Sequence, residues 1–222
     1  MKRTLLKTGD GSYTLHIPEW DEQYHSKHGA IAEALHVFIK EGLYYWSAKN
    51  TVAEISIMEI GFGTGLNAFL SFLETEKNNF KIDYTGVEAY PLSLSEVQKL
   101  NYTSLLNSSE EKFLQLHDVA WEEKQVISGN FQLTKKEQFF SDINAENRYH
   151  LIYFDAFGIR VQPELWTEEI FQIMYNSLKP NGVLVTYAAN GNARRAMQTV
   201  GFSVERLPGP PGKKEMLRAT KR

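Results

Sequence analysis

Short apolar runs alternate along the chain with stretches whose apolar residues recur every three or four positions. The first kind of pattern suits buried strands and the second suits amphipathic helices. The N-terminus reads as a hairpin, "RTLLKT" and "YTLHI" around a turn at "GDGS". In "YHSKHGAIAEALHVFIKEGLYYW", Ile31, Leu35 and Phe38 share a helical face with Ala34, and Gly42 predicts a C-terminal stop. The alternation then becomes regular. Strands are expected at "EISIMEIG", "FKIDYTGVEAY", "FQLTKKE", "YHLIYFDAFG" and "GVLVTYAAN". Helices are expected at "LNAFLSFLETEK", "SLSEVQKLNYTSLL", "PELWTEEIFQIMYNSL" (closed by "KPNG") and "ARRAMQTVG". Such an order predicts an α/β fold, a mostly parallel sheet with helices on both faces. The closing strands "FSVERL" and "EMLRATK" are joined by "PGPPGKK", short enough for an antiparallel return and too short for a crossover helix. Residues 107–130 carry no clear period. The expected organisation is an N-terminal hairpin and helix, 1–50, packed on a main domain, 51–222.

Composition narrows the class. At 222 residues, with 42% hydrophobic and 23% charged positions, a full core is expected and disorder is not. The absence of cysteine removes disulfides and thiolate chemistry. No signal-like N-terminus and no membrane-length apolar run stands out, so a soluble, cytoplasmic protein is expected. Net charge is −3, which argues against generic nucleic-acid binding. From Asn190 to Arg222, however, eight basic residues face two acids, leaving that stretch at +6 and the remainder at −9. It is either a solvated basic end or a phosphate-facing patch. His25 and His28 form H-x-x-H without an evident third ligand, so no metal is expected.

The candidate chemistry centres on "MEIGFGTGLN". A glycine loop between strand and helix lies at the carboxyl edge of the sheet, where open α/β folds bind ligands. A dinucleotide fingerprint needs G-x-G-x-x-G, but the third place is Leu66; the pattern is instead Glu59, Gly61, Gly63, Gly65. A pyrophosphate would meet Glu59 unfavourably, whereas a ligand bearing sulfonium and ammonium groups would not. Glu88, at the end of the second strand, is placed to accept from ribose hydroxyls. The two features together favour S-adenosylmethionine over a dinucleotide. Asp155 ends the apolar run "YHLIYF" beside that loop, with helix N-cap and catalytic carboxylate as its alternatives.

"MEIGFGTGLN", "YTGVEAYPLS", "YFDAFGIRVQPELWTEEIF", "LKPNGVLVTYAANGNARRAMQTVGFSVERLPGPPGKKEML" and "YHSKHGA" together resemble the methyltransferase domain of the bifunctional tRNA-modifying MnmC family, over nearly the whole chain. The resemblance implies a Rossmann-like class I S-adenosylmethionine-dependent fold with a seven-stranded sheet. It implies methylation of 5-aminomethyl-2-thiouridine at the tRNA wobble position, giving 5-methylaminomethyl-2-thiouridine. The cofactor would then meet Glu59, Gly61, Phe62, Gly63, Gly65, Asn67, Glu88 and Ala89. Tyr24 and Ser26 either cover its methionine end or belong to a plain linker. Asp155 corresponds to the family's motif aspartate and is read mainly as positioning the amine. Phe157 (stacking), Arg160, Lys213 and Lys214 (phosphate) are the candidates for gripping an anticodon loop. Trp166 shares a helical face with Ile170 and Ile173, which favours core packing.

The chain departs from the bifunctional pattern by ending where an FAD oxidase half would begin, so the aminomethyl precursor is expected from a separate enzyme. It also has Gly158-Ile159 where Ala-Pro is common, and no Gly-Asp pair after "LTKKE". Two other readings compete: a small-molecule or polyamine-type amine methyltransferase on the same fold, and a non-catalytic RNA-binding module.

Overall fold

The computed structural model describes residues 2–222. Its centre is an eight-stranded sheet flanked on both faces by helices. The small N-terminal sheet has β1 (Thr4–Lys7), β2 (Tyr13–Ile17) and a short third strand, β3 (Glu22–Gln23). Helix α1 (30–47) follows as three continuous segments, Ala30–Ala34, Leu35–Tyr44 and Tyr45–Ser47, the middle one wound with wider π-type turns.

The main sheet contains β4 (Ile55–Ile60), β5 (Ile82–Glu88), β6 (Lys124–Ser128), β7 (Phe131–Glu137), β8 (Tyr149–Phe154), β9 (Leu178–Thr186), β10 (Phe202–Pro208) and β11 (Glu215–Lys221). Their order is β10-β11-β9-β8-β4-β5-β7-β6. The five inner strands from β9 to β7 are parallel, and antiparallel strands close both edges. The sheet therefore has one strand more than the seven expected. The extra one, β6, comes from the stretch without a clear period and is bulged at Val126/Ser128.

Helices α2 (Leu66–Asn78), α3 (Leu94–Val97), α4 (Tyr102–Leu105), α5 (Glu110–Asp118), α6 (Glu168–Ser177) and α7 (Gly191–Thr199) complete the fold. Side-chain caps start several of them. Ser93 and Glu96 form a capping box on α3, and Ser109, Thr167 and Asn190 accept backbone N–H groups at the starts of α5, α6 and α7. The single helix expected over 93–106 is two short ones, because the chain turns between them.

Gly42 is not a stop. The helix runs through it, and a Cβ there would lie 3.1 Å from Val185 and 3.2 Å from Tyr153. The missing side chain lets α1 lie close on the sheet. "KPNG" likewise does not precede the fifth parallel strand but belongs to β9, whose pairing with β8 shifts register between Tyr149 and Leu151.

Strand parity divides the interior into two cores. Ile55 and Ile57 of β4, with Leu151 and Tyr153 of β8, pack under α1 and α2; Met58, Ile60, Ile152 and Phe154 pack under α6 and α7. By the same alternation Glu59 and Asp155 fall on the α1/α2 side. From β4 the chain winds outward to β5 and later returns to β8 on the opposite side, so β4 and β8 flank the switch point where α/β sheets hold ligands.

Candidate active site

The carboxyl ends of β4, β5 and β8 open into a cavity of about 440 Å³, walled by the glycine loop, the end of β5, the segment after β8 and the N-terminal sheet. Gly61 makes the first close approach. Its φ is +87°, and a Cβ would sit 2.8 Å from the Asp155 carbonyl oxygen. A side chain would push the two strand ends apart and strain the backbone as well. Asp155 N–H donates to the Ile60 carbonyl at 2.9 Å, which fixes the two tips together.

Asn67, in the first turn of α2, joins two carboxyl groups. Its Nδ2 donates to Glu59 Oε1 and to Asp155 Oδ2, each at 2.9 Å. Tyr84 OH donates to the other Glu59 oxygen at 2.9 Å. Burial, then the Asp155 charge, pushes Glu59 well above the ordinary carboxylate range. Glu59 is thus a protonation-prone floor 1% exposed beneath the loop, rather than the exposed anion that would repel phosphate. Asp155 is pushed up to about 7, by burial first and the Glu33 carboxylate second. Among the described residues, its Oδ1 accepts from no protein group, and Asp155 lines the cavity.

Glu88 stands at the end of β5 as expected from its strand position. Gly63 N–H donates to its Oε2 and Tyr90 N–H to its Oε1, both at 3.0 Å. A carboxylate so held keeps further lone pairs for two hydroxyls. Gly61, Phe62, Gly63, Asn67, Ala89 and Tyr24 line the same cavity; Gly65 and Ser26 do not. Gly65 begins α2, and Ser26 donates its N–H to Glu33 Oε1 at 2.9 Å. His25 is held between Thr14 and Thr64, and burial depresses it to about 4. Among the described residues, no group of three His, Cys, Asp or Glu is arranged to hold a metal, and no helix is long and apolar enough to cross a membrane.

The residues expected to meet RNA are placed differently from that expectation. Phe157 lines the cavity but packs edge-on against both Trp20 (5.6 Å) and Tyr24 (5.0 Å). Arg160 donates to the carbonyls of Trp20 and Asp21 and pairs with Glu22, so it fastens the N-terminal sheet. Lys213 turns inward to Glu33 Oε2 at 2.6 Å. Lys214 alone of the four is a solvent-exposed cation without such a bond. Trp166 is buried, its Nε1–H donating to the Phe157 carbonyl.

Sequence reasoning missed Glu33, Tyr90 and Phe139. Tyr90 and Phe139 are exposed at the ends of β5 and β7, meet edge-on at 6.2 Å and line the cavity mouth. Their strand-end positions were the available signal. Glu33 carried none, since a glutamate in a helix is ordinarily solvated.

S-adenosylmethionine fits these residues. Glu88 offers a fixed carboxylate, the aromatic mouth offers apolar faces, and the Glu88 and Asp155 carboxyl groups, rather than Glu59, suit a cation over a pyrophosphate. A family model described as S-adenosyl-L-methionine-dependent methyltransferase matches residues 96–222, more than half of the chain, and the chain belongs to that family. The tRNA 5-methylaminomethyl-2-thiouridine biosynthesis bifunctional protein MnmC of Leptospira borgpetersenii is 29% identical over 89% of this chain and 32% of its own length. The protein of the same name from Cupriavidus necator is 30% identical over 90% of this chain and again 32% of its own. The chain thus spans about a third of the length of these relatives. Among solved structures, MNMC2 from Aquifex aeolicus superposes with a TM-score of 0.80 at 23% identity, covering 100% of this chain and 70% of that one. Spermidine synthase from Thermotoga maritima superposes at 0.56 with 14% identity, over 100% and 72%. Both likenesses concern the fold.

Proposed function

We propose that this member of the S-adenosyl-L-methionine-dependent methyltransferase family methylates the primary amine of 5-aminomethyl-2-thiouridine at the tRNA wobble position. The relatives' names support the substrate, and Asp155 supports the chemistry. One observation supports the reading most: a carboxyl group with one oxygen tied by Asn67 and the other accepting from no group among the described residues lines the cavity that also contains Glu88 and the glycine loop.

When bound, the cofactor supplies a methyl group already activated on a sulfonium. Glu88 would hold its ribose, and Gly61, Phe62, Gly63, Asn67 and Ala89 would line its bed, with Gly65 setting the start of α2. Asp155 Oδ1 accepts an N–H from the substrate amine and aims the nitrogen. An alkylamine resembles lysine, with a reference pKa near 10.4, so most of it arrives as ammonium, which a carboxylate attracts. The amine must lose a proton before it can attack, and alignment with desolvation accounts for much of the remaining barrier.

Residues 1–50 act in this reading as a cover on the 51–222 catalytic body. Tyr24 and Trp20 reach the cavity wall, and Arg3 bonds to Glu96 and the Tyr90 carbonyl. In this reading the aminomethyl group is made in an earlier reaction, and the cytoplasm, where tRNA is modified, is the setting. The test is labelled-methyl transfer to tRNA carrying 5-aminomethyl-2-thiouridine, compared with tRNA lacking that amine. Label only in the first supports the assignment; equal label in both, or none, overturns it. Asp155→Asn is expected to lower the single-turnover rate by about 10²-fold or more while cofactor binding persists.

A further inference from the structure

Glu33 is an acid buried where the folding of a surface helix does not require one. It lies in the first segment of α1 with its side chain 6% exposed. One oxygen accepts the Ser26 N–H at 2.9 Å, and the other receives the Lys213 ammonium at 2.6 Å. Lys213 comes from the loop between β10 and β11, far away in the chain. Its Nζ also lies 3.7 Å from the centre of the Tyr187 ring. Tyr187 lines the cavity and donates its hydroxyl to the carbonyl of Ala156, the residue after Asp155, at 2.9 Å. The same loop is fastened a second time, by His36 Nε2 to the Pro208 carbonyl at 2.9 Å. Helix α1, the β10–β11 loop and the residue after β9 are therefore linked, contact by contact, to Ala156, the neighbour of Asp155.

We propose that Glu33, as a carboxylate paired with Lys213, is a positioning residue that makes Asp155 the proton acceptor for the substrate ammonium. This deepens the amine-methyltransferase reading and rests on it. In the step, the ammonium gives one proton to Asp155 Oδ1 and keeps the bonding pair. That lone pair then forms the nitrogen–carbon bond while the electrons of the carbon–sulfur bond leave with sulfur. The product is a secondary ammonium, and the proton on Asp155 goes to solvent.

An ordinary aspartate, near 3.9, is a poor acceptor for a proton from an amine. The titratable and charged groups whose charges act on Asp155 come from every surrounding element, Glu59 from β4, Tyr84 from β5, Tyr102 from α4, Glu33 from α1, Lys213 from the β10–β11 loop and Tyr187 after β9, and Asn67 of α2 bonds it directly. Burial and Glu33 raise Asp155, to about 7, and the Asn67 hydrogen bond and Lys213 lower it. Lys213 has two opposed effects: its charge acts directly on Asp155, and it holds the Glu33 side chain in place.

Two substitutions separate these effects. Glu33→Gln keeps a single acceptor oxygen for Ser26 or Lys213 and removes the charge; Lys213→Gln removes the cation. The readout is carbon-13 NMR titration of the Asp155 carboxyl in the whole chain, assigned with Asp155→Asn, which requires no acceptor. Glu33→Gln is expected to move the midpoint down by about one pH unit, and Lys213→Gln to move it up. The acid limb of methyl transfer to amine-bearing tRNA should follow each shift, and the plateau rate of Glu33→Gln should fall severalfold as the base weakens. Unmoved midpoints, midpoints that move the same way, or midpoints that shift while the rate profile stays fixed overturn the inference. Should Glu33→Gln fail to fold, Glu33→Ala carries the same expected downward shift, and an unmoved Asp155 midpoint in it overturns the inference. Failure of wild-type transfer to that tRNA would count against the substrate reading alone, because the titration stands independently of the acceptor.

Discussion

Asn67 bonds to both buried acids, and its orientation follows from them, since two carboxyl groups need its donor side. The acids differ in fate because one oxygen of Asp155 accepts from no group among the described residues, whereas both of Glu59 are engaged. Asp155 carries a stability signature of its own. Its folded-state value near 7 exceeds that of an unfolded aspartate, so the folded chain binds the proton more tightly. That contribution is fully present below about pH 4 and is lost as pH rises through about 7. Asp155→Asn should therefore melt higher than wild type at pH 8 and no higher at pH 4, measured by differential scanning calorimetry. Glu88→Ala removes a charged acceptor aimed at the cavity. It should weaken S-adenosylmethionine binding by about tenfold or more in calorimetric titration, given about 1.5–3 kcal/mol for a hydrogen bond to a charged group. The positions of Glu88 and Asp155 at strand ends were legible in the sequence. The burial of Glu59 was legible too, in hindsight, from its shared parity with Ile55 and Ile57. That Glu33 and Lys213 would meet was not, because 180 residues separate them and neither sits in a periodic pattern that points to the other.

The alternation of strands and helices was the clearest signal at the level of elements, because every central strand is a nearly continuous apolar run. Segments whose stability rests on tertiary contact were the ones misread. Strand β6 has an exposed, bulged partner register and little apolar content, so its pairing with β7 is invisible locally. Gly42 showed the opposite error. A glycine late in a helical pattern reads as a terminator, yet here the helix packs on the sheet through the space a side chain would fill. Gly42→Val should cost about 1–3 kcal/mol by overpacking against Val185 and Tyr153. Urea denaturation monitored by circular dichroism would show it as a lower midpoint with an unchanged slope.

Over the whole molecule, the +6 of residues 190–222 is offset only in part, by Glu41 and Glu33 from outside the stretch, and Arg194, Arg195, Lys214, Lys221 and Arg222 pair with no acid among the described residues. Arg218 pairs with Glu41 and Glu205, Arg206 with Glu215 and Lys213 with Glu33. If the five remaining cations meet phosphates, tRNA affinity should fall clearly as salt rises, and a flat salt dependence would show that they do not. Lys214→Glu should weaken tRNA binding in a filter assay and leave S-adenosylmethionine affinity intact; an unchanged tRNA affinity would exclude this loop from the contact. The position of β11 has a consequence for synthesis. It lies inside the sheet, between β10 and β9, although it is the last strand to be made. A nascent chain that has emerged only as far as β10 leaves β9 with a bare edge, a template for pairing with other chains. Ribosomal stalling or proteolytic cleavage between the end of β10 and the start of β11 should therefore yield aggregates rather than a smaller folded species.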